Sequence, residues 1–263
     1  MSENKFREFR NLHLRQSPLV LVNIWDAGSA IVVQGNGARA LATSSASLAW
    51  SNGYSDGCDL PLDILMDSVS RILRVSKVPL SIDIENGYSD SPDEVAKLVK
   101  NLVDEGVSGV NLEDGETPPE LLVEKILAIK ERCGEGAIFI NARTDVYLRK
   151  LVSAETRLKE GISRLNNYIS CGADGVFVPG LTSLGDMSKL SSSISAPLNV
   201  MISSDVVNLE EFTDAGVARI SLGPVTFIDT YSTLSKISGK SLKAKQPLTL
   251  SYDNLNRMCL NNK

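Results

Sequence analysis

The strongest constraint on the fold is an alternation of helix-like segments with short apolar runs. Four runs follow a glycine placed to end a helix, at residues 37–42, 106–112, 172–178 and 216–222. Four others lie between them, at residues 18–23, 79–83, 137–141 and 197–201. Glycine is favoured just after a helix because it adopts a left-handed backbone conformation at little cost. The sequence therefore predicts about eight strands separated by helices.

Apolar residues at helical spacing fill the segments between these runs. One such face comprises Leu62, Leu65, Met66, Val69, Ile72 and Leu73. Ser91 and Thr117, each followed by proline and glutamate, are interpreted as capping boxes at the starts of two further helices. We also expect a short N-terminal helix over residues 3–16 and a C-terminal tail over residues 240–263.

This pattern predicts an α/β fold. Strands that alternate with helices and are apolar along nearly their whole length form a parallel sheet covered on both faces. About eight such units close into a (β/α)8 barrel of the TIM type. No break in composition divides residues 1–263, so a single domain is expected. The alternative is an open doubly wound sheet, but no strand is followed by the Gly-x-Gly-x-x-Gly of dinucleotide-binding folds.

Charge and composition restrict the partners. The formal net charge is −5 with both signs scattered, which argues against nucleic acid or a membrane surface and favours a small molecule. Residues 1–10 contain no apolar segment of a signal peptide, and no run approaches the ~20 apolar residues of a membrane span, so a cytoplasmic location is expected. The four cysteines form no Cys-x-x-Cys pair, which disfavours a zinc site or a disulfide framework.

Acidic residues end two neighbouring strands on the side where barrel enzymes have their active sites. Asp83 and Glu85 close one apolar run before a glycine turn, and Glu113 and Asp114 close the next. Buried carboxylates are costly unless a cation compensates them, and Mg²⁺ or, alternatively, Mn²⁺ prefers such oxygen ligands. The alternative is an acidic strand end that caps the next helix. The second acidic strand end favours the metal site.

Other polar residues are expected at the same end of the barrel, and they are Trp25, Asp26, Thr43, Ser44, Ser45, Asn141, Arg143 and Asn199. An exposed polar loop face would supply some of these residues by chance. Because the carboxylates fall on neighbouring strands and Arg143 on the next one, we interpret the group as a functional cluster. Asp56 lies in the loop after the second strand and could reach the same mouth. As a turn former it has an equally good structural explanation.

Several of these runs together resemble the isocitrate lyase/phosphoenolpyruvate mutase superfamily, including its carboxyvinyl-carboxyphosphonate phosphorylmutase-like members. The resemblance is carried by residues 23–30, 42–46 and 53–57, and by Asp83-Ile-Glu-Asn-Gly-Tyr88, Asn111-Leu-Glu-Asp114 and Asn141-Ala-Arg143. It extends in order over nearly the whole chain. It implies a Mg²⁺-dependent barrel enzyme that makes or breaks C–C or P–C bonds next to a 2-oxo carboxylate through enolate-like intermediates.

The resemblance also implies roles for individual residues. Asp83, Glu85 and Glu113 would hold Mg²⁺ directly or through water, with Asp56 beside them. Backbone N–H groups of Ser44, Ser45 and Ala46 would bind the substrate, and Arg143 would pair with it. Trp25 and Asn199 are further candidates for substrate binding. Members of this family assemble, so a homodimer or homotetramer is expected, with the tail docked on a partner.

Some residues that family members use are absent from this sequence. The Lys-Lys-Cys-Gly-His loop of the lyases corresponds here to residues 114–120, and the mutase histidine corresponds to Pro179. His13, the one histidine, is expected on the surface of the N-terminal helix, and Cys133 is expected to be structural. Proton transfer must then fall to a carboxylate, Tyr88, metal-bound water or the substrate, so Arg143, Asp56 and Tyr88 are the catalytic candidates.

Three functions are compatible with these residues. The favoured one is a Mg²⁺-dependent C–C lyase or decarboxylase of a small 2-oxo or hydroxy di- or tricarboxylic acid. The second is a P–C bond enzyme of the phosphonopyruvate mutase or hydrolase type. Such enzymes use a gating loop with Lys and Asn-Ser after the Glu-Asp pair, and the absence of that loop and of the mutase histidine disfavours this function. The third is a non-catalytic barrel that binds a 2-oxo acid.

Overall fold

The computed structural model describes residues 2–202, 208–244, 246 and 248–260, with side chains from residue 5 onward. It contains nine strands, which are β1 Leu19–Leu21, β2 Asn23–Ile24, β3 Leu41–Thr43, β4 Leu80–Asp83, β5 Gly109–Glu113, β6 Phe139–Arg143, β7 Gly175–Val178, β8 Leu198–Met201 and β9 Val217–Ser221. All of them pair in parallel. Each predicted apolar run overlaps one of these strands, except that the N-terminal run, at residues 18–23, overlaps two.

The first run closes the barrel. Its first half, β1, pairs with β9 through Leu19 and Arg219, and its second half, β2, pairs with β3 through Asn23 and Ala42. The sheet order is therefore β1-β9-β8-β7-β6-β5-β4-β3-β2, and Val22 joins its two ends. One continuous segment thus bonds to both of its neighbours, and the predicted single-domain (β/α)8 barrel is confirmed.

Helices separate the strands and cover the barrel. In the described residues they are α1 Ser2–Asn11, α2 Ala27–Gly35, α3 Ser45–Ser51, α4 Leu62–Val75, α5 Pro92–Glu105, α6 Pro119–Cys133, α7 Ala154–Ser170, α8 Leu184–Ser192, α9 Leu209–Asp214, α10 Val225–Ser241 and α11 Tyr252–Leu260. Buried strand residues such as Ile82, Val110 and Ile140 pack with these helices in the largest apolar cluster. Within these residues, none of the helices has both the length and the apolar character needed to cross a membrane.

The predicted capping boxes of α5 and α6 are wrong, although both helices start with a proline as expected. The Ser91 side chain makes no cap hydrogen bond. Pro118, not Thr117, is the N-cap of α6, because the Thr117 hydroxyl instead donates to the Asp114 carbonyl at 2.7 Å. A capping box is present at α2, between Asp26 and Ser29.

The N-terminal helix is shorter than expected and its histidine is buried. α1 ends at Asn11 because the chain turns ahead of Pro18 and enters the barrel. His13 is only 9% exposed, so its expected surface position is wrong. Its ring stacks on Phe139 at 4.3 Å and meets the edge of Phe9 at 4.8 Å. Burial, reinforced by the positive charge of Arg219, lowers the pKa of His13 to about 3.

Candidate active site

A cavity of about 460 Å³ lies at the carboxyl ends of the strands and brings together most of the predicted site. Predicted residues that line it are Ser44, Ser45, Ala46, Asp56, Asp83, Glu85, Glu113 and Arg143. A larger cavity, of about 650 Å³, includes His13 and Lys130 in its lining but contains none of these residues. The cavity that holds the carboxylates is therefore the candidate active site.

Three of the lining carboxylates come from two adjacent strands. Asp83 ends β4, Glu85 follows two residues later, and Glu113 ends β5. Asp83 accepts hydrogen bonds from the backbone N–H of Glu85 and from the Asn111 amide, both at 3.1 Å. Glu85 Oε2 accepts from the backbone N–H of Cys58 at 2.6 Å, whereas Glu85 Oε1 is buried without a hydrogen-bond partner. All three carboxylates are less than 10% exposed.

The electrostatics of this group indicate negative charge without sufficient compensation. Burial, together with the charges of Asp56 and Asp83, raises the pKa of Glu85 to about 7. Burial also raises the pKa of Glu113 to about 8, even though Arg143 acts in the opposite direction. The pKa of Asp83 is raised as well, mainly by burial. A cation bound among these groups would relieve this cost.

The backbone around the carboxylates is strained. Glu85, Tyr88 and Cys58 have φ values of 51°, 60° and 65°, a left-handed conformation that non-glycine residues adopt rarely. Each such residue costs on the order of 1–3 kcal/mol, and such residues tend to cluster at functional sites. Glu85 lies between the end of β4 and the Gly87 turn, and its left-handed backbone places its carboxylate beside Asp83.

Arg143, at the end of β6, is held by two carboxylates. Its Nε and Nη2 donate to the two oxygens of Asp145 at 2.7 and 3.0 Å, and its Nη1 lies 2.8 Å from Glu113 Oε2. Burial alone would lower the pKa of Arg143, but Glu113 and Asp145 outweigh it and raise the pKa. Arg143 is therefore a fixed cation at the wall of the cavity.

Asp145 is in turn fixed from behind. It is fully buried, and it also accepts from Arg149 Nε at 2.9 Å. Its backbone N–H donates to Asp114 Oδ1 at 2.9 Å, and Asp114 Oδ2 accepts from Thr144, Arg164 and Tyr168. Asp114 is thus a buried anchor for the segment after β6, and it does not line the cavity.

Three of the predicted catalytic and substrate-binding residues lie outside the cavity lining, as do Asp26, Thr43 and Asn141. Trp25 is buried against Phe227, with ring centroids 5.0 Å apart, so its contacts are those of a packing residue. Asn199 is 1% exposed inside the barrel, where its Oδ1 accepts from Ser221 at 3.3 Å. Tyr88 lies beside Glu85, and burial together with the Glu85 charge raises the pKa of its phenol.

The structure adds lining residues that the sequence pattern did not single out. Arg149 supplies a second cation, Asn111 bonds to Asp83, and Tyr252 comes from the C-terminal helix. The motif Asn141-Ala-Arg-Thr-Asp145 carried a signal for Asp145, because a carboxylate two residues after a strand-end arginine is well placed to pair with it. Tyr252 carried no local signal.

The donor chemistry of the cavity fits a hard divalent cation. Carboxylate oxygens predominate, and Glu85 Oε1 and Asp56 Oδ1 are buried without partners. In the described ranges, however, no three His, Cys, Asp or Glu side chains form a group that could hold a metal ion by themselves. An ion would therefore be held partly through its own water molecules, as is usual for Mg²⁺.

Comparisons with known proteins identify a family model and several similar chains. A family model described as phosphoenolpyruvate phosphomutase matches residues 9–242. An uncharacterized protein of Mycobacterium tuberculosis (strain H37Rv) is 34% identical over 223 residues, which cover 83% of each chain. A 2-methylisocitrate lyase of Shewanella oneidensis is 28% identical over 239 residues, which cover 84% of this chain and 79% of the lyase.

Solved structures show the same similarity. The crystal structure of a candidate phosphonomutase from Burkholderia cenocepacia J2315 has a TM-score of 0.85 and 35% sequence identity. The similarity covers 92% of this chain and 100% of the other. The family match at residues 9–242 includes every residue that lines the cavity except Tyr252.

Proposed function

The chain belongs to the phosphoenolpyruvate phosphomutase family, within the superfamily that its motifs resemble, and from this premise we propose that it is a Mg²⁺-dependent lyase. It cleaves a C–C bond in a small 2-oxo or hydroxy di- or tricarboxylic acid, by decarboxylation or by a retro-aldol-type step. The observation that carries the proposal is the single cavity in which Asp83, Glu85 and Glu113 face Arg143.

The carboxylates account for the metal. Asp83, Glu85 and Glu113 would hold Mg²⁺ close to Asp56, and the ion would supply Lewis-acid stabilisation of the negative charge that develops on the substrate's keto oxygen. The raised pKa values of Glu85 and Glu113 support this assignment, because burial and the neighbouring carboxylates raise them and a bound cation would offset both effects.

Two groups in the protein orient the substrate. Asp145 occupies Nε and Nη2 of Arg143, so Nη1 is the part of the guanidinium left to bind a substrate carboxylate in exchange for Glu113. Ser45 and Ala46 lie in the first turn of α3, where backbone N–H groups have no acceptor within the helix. These N–H groups suit a second carboxylate or the enolate oxygen.

The lining residues favour chemistry with little proton delivery. Neither histidine nor cysteine lines this cavity among the residues described. The Cys58 thiol is near Glu85, but burial and the Glu85 charge raise its pKa to about 12, so it stays protonated. Decarboxylation leaves an enolate directly, and retro-aldol cleavage leaves one once a lining carboxylate has taken the hydroxyl proton of the substrate. This site is equipped to stabilise an enolate.

The second candidate is cleavage or rearrangement of a P–C bond. The similarity to the candidate phosphonomutase from Burkholderia cenocepacia, at 35% identity, favours it. The family's gating loop and the mutase histidine are missing, since helix α6 starts soon after Asp114 and Pro179 occupies the histidine position. We therefore rank it below C–C cleavage.

An assay of product release separates these functions. The purified protein is incubated with oxaloacetate, isocitrate, 2-methylisocitrate and phosphonopyruvate, with MgCl₂ or with excess chelator, and pyruvate, glyoxylate and phosphoenolpyruvate are measured. We expect release of pyruvate or glyoxylate from oxaloacetate, isocitrate or 2-methylisocitrate, and loss of this release with chelator. Turnover of phosphonopyruvate alone would support the second candidate, and metal-dependent binding without any turnover would support a non-catalytic barrel.

A further inference from the structure

The C-terminal helix α11 is joined to the mouth of the cavity by polar contacts. Tyr252, its first residue, donates its hydroxyl hydrogen to Asp56 Oδ2 at 2.7 Å. Asn256 Oδ1 accepts two hydrogen bonds, from the backbone N–H of Asp56 at 2.8 Å and from Trp50 Nε1 at 2.7 Å. Because the two residues are four apart, they lie on the same face of α11. That face therefore contacts the 53–57 loop twice, at the Asp56 carboxylate and at the Asp56 backbone N–H.

We propose that α11 is part of the active site, with Tyr252 as a cavity wall and Asn256 as a positioning residue for the loop that carries Asp56. The kinetic test of this inference, described below, rests on the proposed function. Tyr252 occupies Asp56 Oδ2 and leaves Oδ1 buried and unpartnered, so the carboxylate is held in one orientation near Glu85. Tyr252 also lines the cavity, so its ring limits the size of the substrate.

Packing alone does not explain these contacts. Leu255 and Cys259 pack against the buried cluster of Trp25, Ala46, Trp50 and Phe227, and this contact would suffice to anchor α11. Asn256 and Tyr252 both also bond to Asp56 at the cavity, through its backbone N–H and its carboxylate, and Asn256 accepts from Trp50 as well. The family match ends at residue 242, so α11 is a part of this chain that the family match does not cover.

Four variants test the inference, and all are judged against unchanged circular dichroism and a similar melting temperature. Asn256→Leu removes the acceptor, and Asn256→Asp restores an oxygen that accepts the same two hydrogen bonds. Tyr252→Phe keeps the ring and removes the hydroxyl. Asp253→Asn is the matched control, since Asp253 is exposed on the same helix.

Hydrogen exchange tests the position of the loop without any need for turnover. The amide of Asp56 should exchange about 10-fold faster in Asn256→Leu, as expected for a lost hydrogen bond, and at the wild-type rate in Asn256→Asp and Asp253→Asn. Peptides that cover residues 53–58 report this by mass spectrometry. Unchanged exchange in Asn256→Leu would overturn the positioning role, whether or not the enzyme turns over any substrate tested.

Kinetics then test whether the position matters at the site. With the substrate identified by product release, Asn256→Leu and Tyr252→Phe should each lower kcat about 10-fold or more, while Asn256→Asp and Asp253→Asn stay within about 3-fold of wild type. Faster exchange with unchanged kcat and KM would reduce α11 to a structural element and overturn the inference. If the wild-type protein has no turnover, the proposed function fails, and the affinity of oxalate for the same variants replaces kcat as the readout. We then expect Asn256→Leu to bind oxalate about 10-fold more weakly than wild type. Equal affinity in the two proteins would overturn the inference.

Discussion

Asp145 holds Arg143 by two parallel hydrogen bonds, from Nε to Oδ1 at 2.7 Å and from Nη2 to Oδ2 at 3.0 Å. A planar carboxylate and a planar guanidinium in this arrangement fix each other's orientation as well as their position. The remaining Nη1 of Arg143 is thereby directed to Glu113, at the wall of the cavity. The orientation of the arginine therefore depends on a residue that itself does not line the cavity.

Replacing Asp145 should impair turnover at neutral pH. Asp145→Asn keeps the volume but offers one acceptor oxygen, so the guanidinium is no longer fixed. We expect kcat/KM to fall about 10- to 100-fold, the range for loss of a charged hydrogen bond. Glu116→Gln is the control, because Glu116 is an exposed partner of the neighbouring Arg149. Equal kinetics in the two variants would contradict the positioning of Arg143 by Asp145.

Replacing Arg143 should remove substrate orientation itself. Arg143→Ala is expected to lose on the order of 2–4 kcal/mol of transition-state stabilisation, measured from kcat/KM. Arg143→Lys keeps the charge without the planar fork and should recover only part of the loss. Arg71→Lys, on the exposed surface of α4, serves as the control. Full activity in Arg143→Lys would show that charge alone suffices.

The metal assignment predicts a specific loss of ion binding. Wild-type protein should gain melting temperature when Mg²⁺ is added, because an ion that binds only the folded state stabilises it. Asp83→Ala should abolish this gain while retaining the fold, and the exposed Asp63→Asn on α4 should not change it. A Mg²⁺-dependent shift of wild-type size in Asp83→Ala, measured by thermal scanning, would remove Asp83 from the metal site.

His13 should make the protein less stable in acid. Its pKa is 6.5 when unfolded and about 3 in the native state, so below pH 6.5 the unfolded chain binds a proton that the folded chain excludes. The contribution to stability is complete above pH 6.5 and decreases by roughly 1.4 kcal/mol per pH unit as the pH falls towards 3. His13→Phe keeps the stacking on Phe139 and should lose this dependence.

The test compares the free energies of unfolding of wild type and His13→Phe as a function of pH. Urea denaturation of wild type and His13→Phe at pH 7.5, 6, 5 and 4.5 gives the free energy of unfolding for each, and carboxylates common to both proteins cancel. The stability difference should shift in favour of His13→Phe as the pH falls. Parallel curves would mean that His13 is accessible to protons in the folded state.

Assembly stays a prediction, with one change in its expected interface. The structure packs α11 against α3 of its own barrel, through Trp50 and Asn256, rather than leaving the tail free for a partner. Leu234 and Ile237 of α10 are more than half exposed and form an apolar surface that a second subunit would cover. Light scattering should give a dimer or tetramer, with Ile237→Lys shifted towards monomer and the exposed Lys236→Arg unchanged. A monomer at all concentrations would contradict assembly.

The sequence by itself determined the barrel and much of the lining of its candidate site. Hydrophobic periodicity and glycine caps are local signals, so they located the strands, and helices such as α4, directly. Once a parallel barrel is inferred, strand ends must meet, and this places Asp83, Glu113 and Arg143 together. The residues that the sequence placed in the cavity are therefore mostly those at strand ends or just after them, whereas Asp56 lies in the loop after helix α3.

Only the tertiary structure decided which other residues reach the cavity and which are buried. Tyr252 and Asp56 are 196 positions apart, and no local pattern encodes a contact at that distance. His13 looked like a surface residue because helical periodicity does not reveal that α1 packs against the interior residues Leu19, Leu21 and Phe139. Trp25 comes directly after β2, just as other candidates come directly after their strands, yet it packs against Phe227 and does not line the cavity. The direction of its side chain depends on a neighbour that lies far away in the sequence.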